Sequence, residues 1–297
     1  MNESRVATQP EAPPLSLPSL GEVIATHHPL NSYIRVDRFP HIWCPGCGLG
    51  IVLTAFVRAM LASGIPPEKH VCVSGIGCTG RIAGYLNLDS FHTTHGRAIP
   101  FATGLHLVRP DLEVTVISGD GDLFAIGGNH FIHAARRNLD INVICVNNFN
   151  YGMTGGQLGP TTPLGAFSTT SPHGNYEPPF NLPLLAAAAG AVFVARWTVL
   201  HARQLERAIL RAMKKRGFAF IEVLSPCPVG FGKVNDVGEG VDEMWLYRRQ
   251  CIVRHDAPLE ELEIRLEKGQ PIILGNFVDR ERPVYSPLGR EEDVPGD

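Results

Sequence analysis

Long apolar runs are missing from this chain of 297 residues, and none approaches the ~18 consecutive apolar positions of a membrane-spanning helix. The N-terminus also lacks the apolar stretch of a secretory leader. A surplus of positive charge is missing too. Lys and Arg number 26 against 29 Asp and Glu, a formal net charge of −3, so the chain has no basic field of the kind nucleic-acid binding needs. These absences make the cytoplasm the default location, with neither membrane nor nucleic acid as an expected partner. Structural disulfides are rare there, so the seven cysteines ask for metal or redox chemistry instead. Hydrophobic residues at 44% and charged residues at 19% are ordinary for a globular protein. The length suffices for one large domain or two small ones.

Residues 1–40 read as an N-terminal arm, punctuated by Pro10, Pro13, Pro14, Pro18 and Pro29. Residues 235–297 read as a charged, proline-punctuated C-terminal extension with one helical stretch near 258–268. Both are poor core material and suited to wrapping a partner. Between them, residues 41–234 alternate helix and strand. Helix is expected after Gly48 (LGIVLTAFVRAMLASG) and at 98–108, 126–138, 184–190 and 202–215. Strand is expected at 71–74, 113–118, 141–147, 191–196 and 219–224. This α/β alternation predicts a mostly parallel sheet covered by helices on both faces.

Ligands of such sheets bind beyond the carboxyl ends of the strands. Four polar or glycine-rich segments begin there, at 75–80, 119–122, 147–156 and 225–228, and parallel strands would bring all four to one edge. In Gly119-Asp120-Gly121-Asp122 the glycines let backbone amides approach an anion, and the following helix N-terminus favours negative charge. A carboxylate there would repel a phosphate unless a cation stood between them, and magnesium shares oxygen ligands with phosphates in this way. One βαβ unit later, Asn147-Asn148-Phe149-Asn150 offers further amide and carbonyl oxygens.

The string Gly75-Ile76-Gly77-Cys78-Thr79-Gly80 matches a dinucleotide fingerprint, but that reading requires a following helix, a second strand and an acidic residue about 20 positions on. The segment continues instead through Asn87, Asp89 and His92-Thr93-Thr94-His95-Gly96-Arg97, without an apolar strand. The loop therefore needs another use. Cys44 and Cys47 form a C-x-x-C in a Pro/Gly-rich loop, while Cys78 and Cys227 lie just past strands. Four loop cysteines make a Cys₄ site plausible, and the residues alone do not separate zinc from iron–sulfur. Cys72 and Cys145 sit inside apolar strands and Cys251 in the C-terminal segment, and these three read as small hydrophobes.

Gly-Asp-Gly with a gap of 28 residues from Asp120 to Asn148 resembles the motif of thiamine-diphosphate enzymes. That resemblance implies magnesium held by Asp120, the Asn148 side chain and the Asn150 carbonyl. Over residues 40–235, WCPGCG, GIGCTGR, HTTHGRA, GDGDLFAIGGNH, NNFNYGMTGGQ and SPCP together resemble the β subunits of 2-oxoacid:ferredoxin oxidoreductases. The resemblance implies a thiamine-diphosphate-binding fold with one [4Fe–4S] cluster on Cys44, Cys47, Cys78 and Cys227. It implies oxidative decarboxylation of a 2-oxoacid to an acyl-CoA with electrons passed to ferredoxin, or the reverse carboxylation.

It further implies cofactor contacts from Gly77, Cys78, Thr79 and Gly80, from Gly119, Gly121 and Asp122, and from Tyr151, Gly152, Met153 and Thr154. His95 is expected to bind diphosphate or order the glycine loop, and Arg81 to pair with a substrate carboxylate. Partners implied are coenzyme A, ferredoxin and an α subunit that brings the glutamate facing the aminopyrimidine, as a heterodimer and a dimer of heterodimers. A lysine that some members carry after Tyr-Gly-x-Thr is replaced here by Thr154-Gly155-Gly156-Gln157, so its substrate contacts do not transfer. The segment 174–180 most resembles members that use 2-oxoglutarate. Two other classes share parts of this pattern: a non-redox thiamine decarboxylase or synthase, and a zinc-stabilised scaffold without catalysis.

Overall fold

The computed structural model describes residues 28–266 and 270–286. Pro10, Pro13, Pro14 and Pro18 of the expected arm lie outside these residues, as do the last two positions of the helix expected at 258–268. The described residues build one eight-stranded sheet from β1 (His70–Ser74), β2 (Asp89–His92), β3 (Glu113–Gly119), β4 (Asn142–Asn147), β7 (Phe193–Thr198), β8 (Ala219–Leu224), β9 (Cys251–Val253) and β10 (Ile272–Asp279). A separate small hairpin pairs β5 (Asn150–Tyr151) with β6 (Gln157–Leu158). The sheet order is β2-β1-β3-β4-β8-β7-β10-β9. The first six of these run parallel, and β10 is antiparallel to β7.

Helices cover both faces, as βαβ crossovers require. On one face α1 (Leu49–Ser63) packs on α5 (Ala202–Met213). The other face carries α2 (Ala98–Val108), α3 (Gly128–Arg137) and α4 (Leu182–Ala189). Leu49, Val52, Leu53, Phe56, Val57 and Met60 of α1 recur at the three- and four-residue spacing of a helix stripe, and all are buried. Left-handed Gly64, at φ +80°, ends that helix. Along β4, Val143 and Cys145 enter one core while Ile144 and Val146 enter the other. A strand with apolar partners on both sides has no polar alternation, which is why it reads as a continuous apolar run.

The structure departs from the sequence reading in three places. Asp89–His92, where no apolar strand was expected, pairs in parallel with β1 at the sheet edge; its side chains are mostly exposed, so apolarity cannot reveal it. The helix expected at 126–138 forms as α3, but a π-helical turn at Gly121–Ile126, absent from the sequence reading, leads into it. The C-terminal segment is not poor core material. Ile272, Ile273 and Leu274 are at most 5% exposed within β10, and α6 (Gly240–Gln250) begins with a Glu239/Asp242 capping box. Among the described residues of the helix expected at 258–268, only a 3₁₀ turn, Leu259–Leu262, forms.

Glu113, at the amino end of β3, receives the Asn142 amide at 2.5 Å. Burial, helped by the Asp140 charge and opposed by that hydrogen bond, pushes its carboxyl up to about 7. A raised carboxyl pKa penalises the ionised form in the fold, so this stability is full at acid pH and is lost as pH rises from about 4.5 through about 7. Glu113→Gln, a neutral isostere, should raise stability at pH 8 by about 1–3 kcal/mol and leave it unchanged at pH 4. Urea titrations at the two pH values check this; an equal effect at both would contradict it. Asp120 and Glu243 are also pushed up to about 7, so the variant should flatten the pH slope in part only.

Candidate active site

β1, β3, β4 and β8 are consecutive parallel neighbours, so the segments that follow them meet at one edge of the sheet. A cavity of about 70 Å³ opens there. It is lined by Ile76, Gly77, Cys78, Thr79, His95, Gly119, Asp120, Gly121, Asp122, Asn148, Asn150, Tyr151, Gly152, Met153 and Thr154. Of the expected site residues, Gly80, Arg81, Cys44, Cys47 and Cys227 lie outside this lining. Arg81 is exposed. Gly80 does steric work: a Cβ there would strike the Gly75 carbonyl.

Asp122 organises the glycine loop. Its carboxylate accepts the amides of Ile76 at 3.1 Å and Gly96 at 2.8 Å, the Ser118 hydroxyl at 2.9 Å, and faces His95 Nδ1 at 2.5 Å. A Cβ on Gly75 would collide with that carboxylate. Gly75 thus permits close packing on an acidic side chain, and Gly80 close packing on the Gly75 backbone. With its oxygens spent on protein donors, Asp122 orients the loop and His95. His95 keeps only Nε2 for anything in the cavity.

Asp120 differs. It is 2% exposed and takes a short hydrogen bond from the Thr161 hydroxyl, and no ion pair involves it among the described residues. Burial pushes its carboxyl up to about 7, against the lowering effect of Thr161 and of the Gly121 and Asp120 amides. A buried carboxylate without a cation is costly to ionise. Asn148 and Asn150 add oxygen donors in the same cavity, brought there by a left-handed turn at buried Phe149, φ +64°. One carboxylate with amide and carbonyl oxygens is the hard-oxygen donor set that magnesium accepts. Gly121 leaves room for the Tyr151 ring, which a Cβ there would penetrate.

The four loop cysteines converge beside this cavity. The Trp43 indole donates to the Cys78 carbonyl at 2.8 Å, and the Ser225 hydroxyl bonds the Cys47 carbonyl. Cys227 Sγ lies 3.6 Å from Asn150 Oδ1, and a Cβ on Gly152 would sit 3.1 Å from that sulfur. Burial first, then the charges of Cys227, Cys44 and Cys47, pushes the Cys78 thiol up to about 11. Cys47 and Cys227 are raised as well, chiefly by burial. Thiols held close enough for their charges to push up Cys78 and Cys47 gain from a cation that takes their protons. Among the described residues no three His, Cys, Asp or Glu side chains stand as close as a single bound ion would draw them. A multi-iron cluster is wider than one ion and spaces its ligands further apart. Cys78 faces the cavity, whereas Cys44 and Cys47 line a separate cleft of about 710 Å³ between α1 and α5.

The remaining cysteines are packing residues. Cys72 and Cys145 are fully buried in strands, and burial pushes Cys72 and Cys251 up to about 12. Sequence reasoning missed Thr161, the one side chain among the described residues that donates to Asp120, and Thr162, whose hydroxyl bonds the Phe149 carbonyl at 2.6 Å. Both lie in a long loop without periodicity. Their only signal is a pair of threonines between Pro160 and Pro163.

Residues 69–223 match the family described as thiamine pyrophosphate enzyme, C-terminal TPP binding domain. The chain is 50% identical over 258 residues to 2-oxoglutarate synthase subunit KorB of Methanocaldococcus jannaschii, covering 87% of this chain and 94% of that protein. To the subunit of the same name from Archaeoglobus fulgidus it is 56% identical over 196 residues, 66% of this chain and 73% of that protein. A solved 2-oxoglutarate:ferredoxin oxidoreductase from Magnetococcus marinus, with 2-oxoglutarate, coenzyme A and succinyl-CoA bound, superposes with a TM-score of 0.75 at 33% identity. That superposition covers 85% of each chain.

Proposed function

The chain belongs to the thiamine-pyrophosphate-binding β subunits of the 2-oxoacid:ferredoxin oxidoreductases, and from that membership we propose that it oxidises 2-oxoglutarate within a heteromer, using thiamine diphosphate, magnesium and a [4Fe–4S] cluster. The observation that carries the redox reading is Cys78. It lines the cavity and also belongs to the group of four interacting thiols, so cofactor site and cluster site share a wall. A non-redox thiamine enzyme has no use for that wall. When bound, thiamine diphosphate supplies the nucleophilic carbon and electron sink for 2-oxoacid decarboxylation, magnesium neutralises its phosphates, and an iron–sulfur cluster accepts single electrons.

The chain's own part is binding, orientation and electrostatics. Asp120, Asn148 and the Asn150 carbonyl offer oxygens to magnesium, and the Gly119–Gly121 backbone lets phosphate oxygens approach closely. Asp122 keeps His95 in one orientation through Nδ1, so that Nε2 is left to accept or relay a proton. Tyr151 and Met153 supply apolar surface at the cavity wall. The closeness to named 2-oxoglutarate subunits favours 2-oxoglutarate over other 2-oxoacids, with coenzyme A as acyl acceptor and ferredoxin as electron acceptor. No helix among the described residues is long and apolar enough to cross a membrane.

Asp120→Asn tests the magnesium assignment. The change removes the only anionic ligand while keeping its shape. Thiamine diphosphate affinity in magnesium titrations should fall by at least ~100-fold, the upper end of what outer-shell partners alone are worth. The melting temperature of the cofactor-free protein should not fall, because a buried carboxylate pushed up to about 7 is itself a burden on the fold. Unchanged cofactor affinity would refute the assignment.

A further inference from the structure

Asn147 ends β4, is 1% exposed, and is absent from the cavity lining, yet both ends of its side chain are committed. Oδ1 accepts the Phe149 amide at 3.1 Å, the Asx turn that lets a chain reverse locally. Nδ2 donates to Glu222 Oε1 at 2.7 Å. Glu222 gives its other oxygen to Arg196 Nε at 2.6 Å, and these two residues, 0% and 1% exposed, face each other in the β7–β8 register. Arg196 Nη1 in turn donates to the carbonyls of Leu262 at 2.8 Å and Ile273 at 3.5 Å, anchoring the pair to the C-terminal segment.

We propose that Asn147, oriented by the Glu222–Arg196 pair, is a positioning residue for the magnesium loop: it sets the left-handed turn at Phe149 that brings Asn148 and Asn150 to the same cavity. The inference rests on reading that cavity as the thiamine diphosphate and magnesium site. Its logic is one of donors and acceptors. A carboxylate only accepts, so Glu222 fixes which end of the Asn147 amide it faces and leaves the oxygen for Phe149. Phe149 needs that hold, because φ +64° is a conformation that a bulky residue rarely adopts. A buried ion pair is by itself weak support for stability. This one presents an acceptor at the end of the strand that feeds the site.

The test uses the enzyme assembled with its α subunit and stripped of cofactor. Thiamine diphosphate binding is titrated by calorimetry at saturating magnesium, alongside the melting temperature of the stripped protein. Asn147→Ala removes the turn but leaves Glu222 and Arg196 paired, and it should weaken binding by about tenfold or more, as loss of an outer-shell partner does. Asn147→Ser, whose hydroxyl can accept the same amide, should stay within about threefold of wild type. Glu222→Gln leaves one acceptor facing two donors at constant volume and should weaken binding about as much as Asn147→Ala. If the side chain serves packing alone, alanine and serine lose affinity equally and in step with melting temperature, which overturns the inference. Unchanged affinity in Asn147→Ala overturns it as well. A wild-type enzyme that binds no thiamine diphosphate overturns the underlying reading, and the inference with it.

Discussion

Replacing Cys227 with serine is expected to strip the anaerobically purified protein of most of its iron and of its broad visible absorbance. The Cys227 thiol is raised by burial, and the Asn150 oxygen at 3.6 Å offers it a weak acceptor. Its amide donates to Glu243 Oε2 at 3.1 Å, so the backbone is fixed before any cluster binds. Serine keeps that frame and nearly the same volume but offers a hydroxyl, which does not ionise to a soft ligand near neutral pH. Cys44→Ser, Cys47→Ser and Cys78→Ser should behave alike, since each removes one of four ligands. Cys72→Ser is the control. That thiol is fully buried in β1, and a hydroxyl there costs about 1–3 kcal/mol of stability but no iron. Iron and acid-labile sulfide per chain decide the matter. Full iron in Cys227→Ser would dismiss this cysteine as a ligand, and stoichiometric zinc in place of iron in the wild type would dismiss the cluster.

How much of this could be read from residues alone depended on which signal each element carries. β3, β4 and β8 are buried on both faces, so their apolar runs stood out, and the polar segments that follow them marked the site edge. β2 pairs at an edge and carries Asp89, Ser90 and His92, so its composition does not mark it as an apolar strand. β10 has an apolar Ile272-Ile273-Leu274 start, but Gly275, Asn276 and the charges around it masked a strand that joins the sheet antiparallel. Arg196 and Glu222 were visible as charges inside apolar strands. Such charges must pair when buried, but the partner follows only once β7 and β8 are known to be neighbours in register. Thr161 was beyond reach, because loop residues are brought to Asp120 by tertiary structure alone.

The chain alone should neither decarboxylate 2-oxoglutarate nor reduce ferredoxin, and mixing with an α subunit should restore both. Thiamine catalysis needs a carboxylate at the aminopyrimidine, away from the diphosphate. Among the described residues the only carboxylates lining the cavity are Asp120 and Asp122, and both are committed, one to Thr161 and one to the glycine loop and His95. The cavity, at about 70 Å³, is also well short of the ~300 Å³ or more that encloses a drug-sized ligand, so this chain supplies part of the walls. The loop that carries Thr161 leaves Leu164, Phe167, Tyr176 and Phe180 between 47% and 86% exposed, and Met153 at the cavity is 45% exposed. Apolar side chains left in water around a half-built site are what a partner subunit would cover. The relatives named as subunits fit the same division of labour. The measurement is coenzyme-A-dependent reduction of ferredoxin with the chain alone, the α subunit alone and the two together. The mixture should turn over with rates at least ~1,000-fold above either component, because the catalytic carboxylate is either present or absent. Full turnover by the chain alone would show that it holds its own aminopyrimidine carboxylate, and that the half-site reading is wrong.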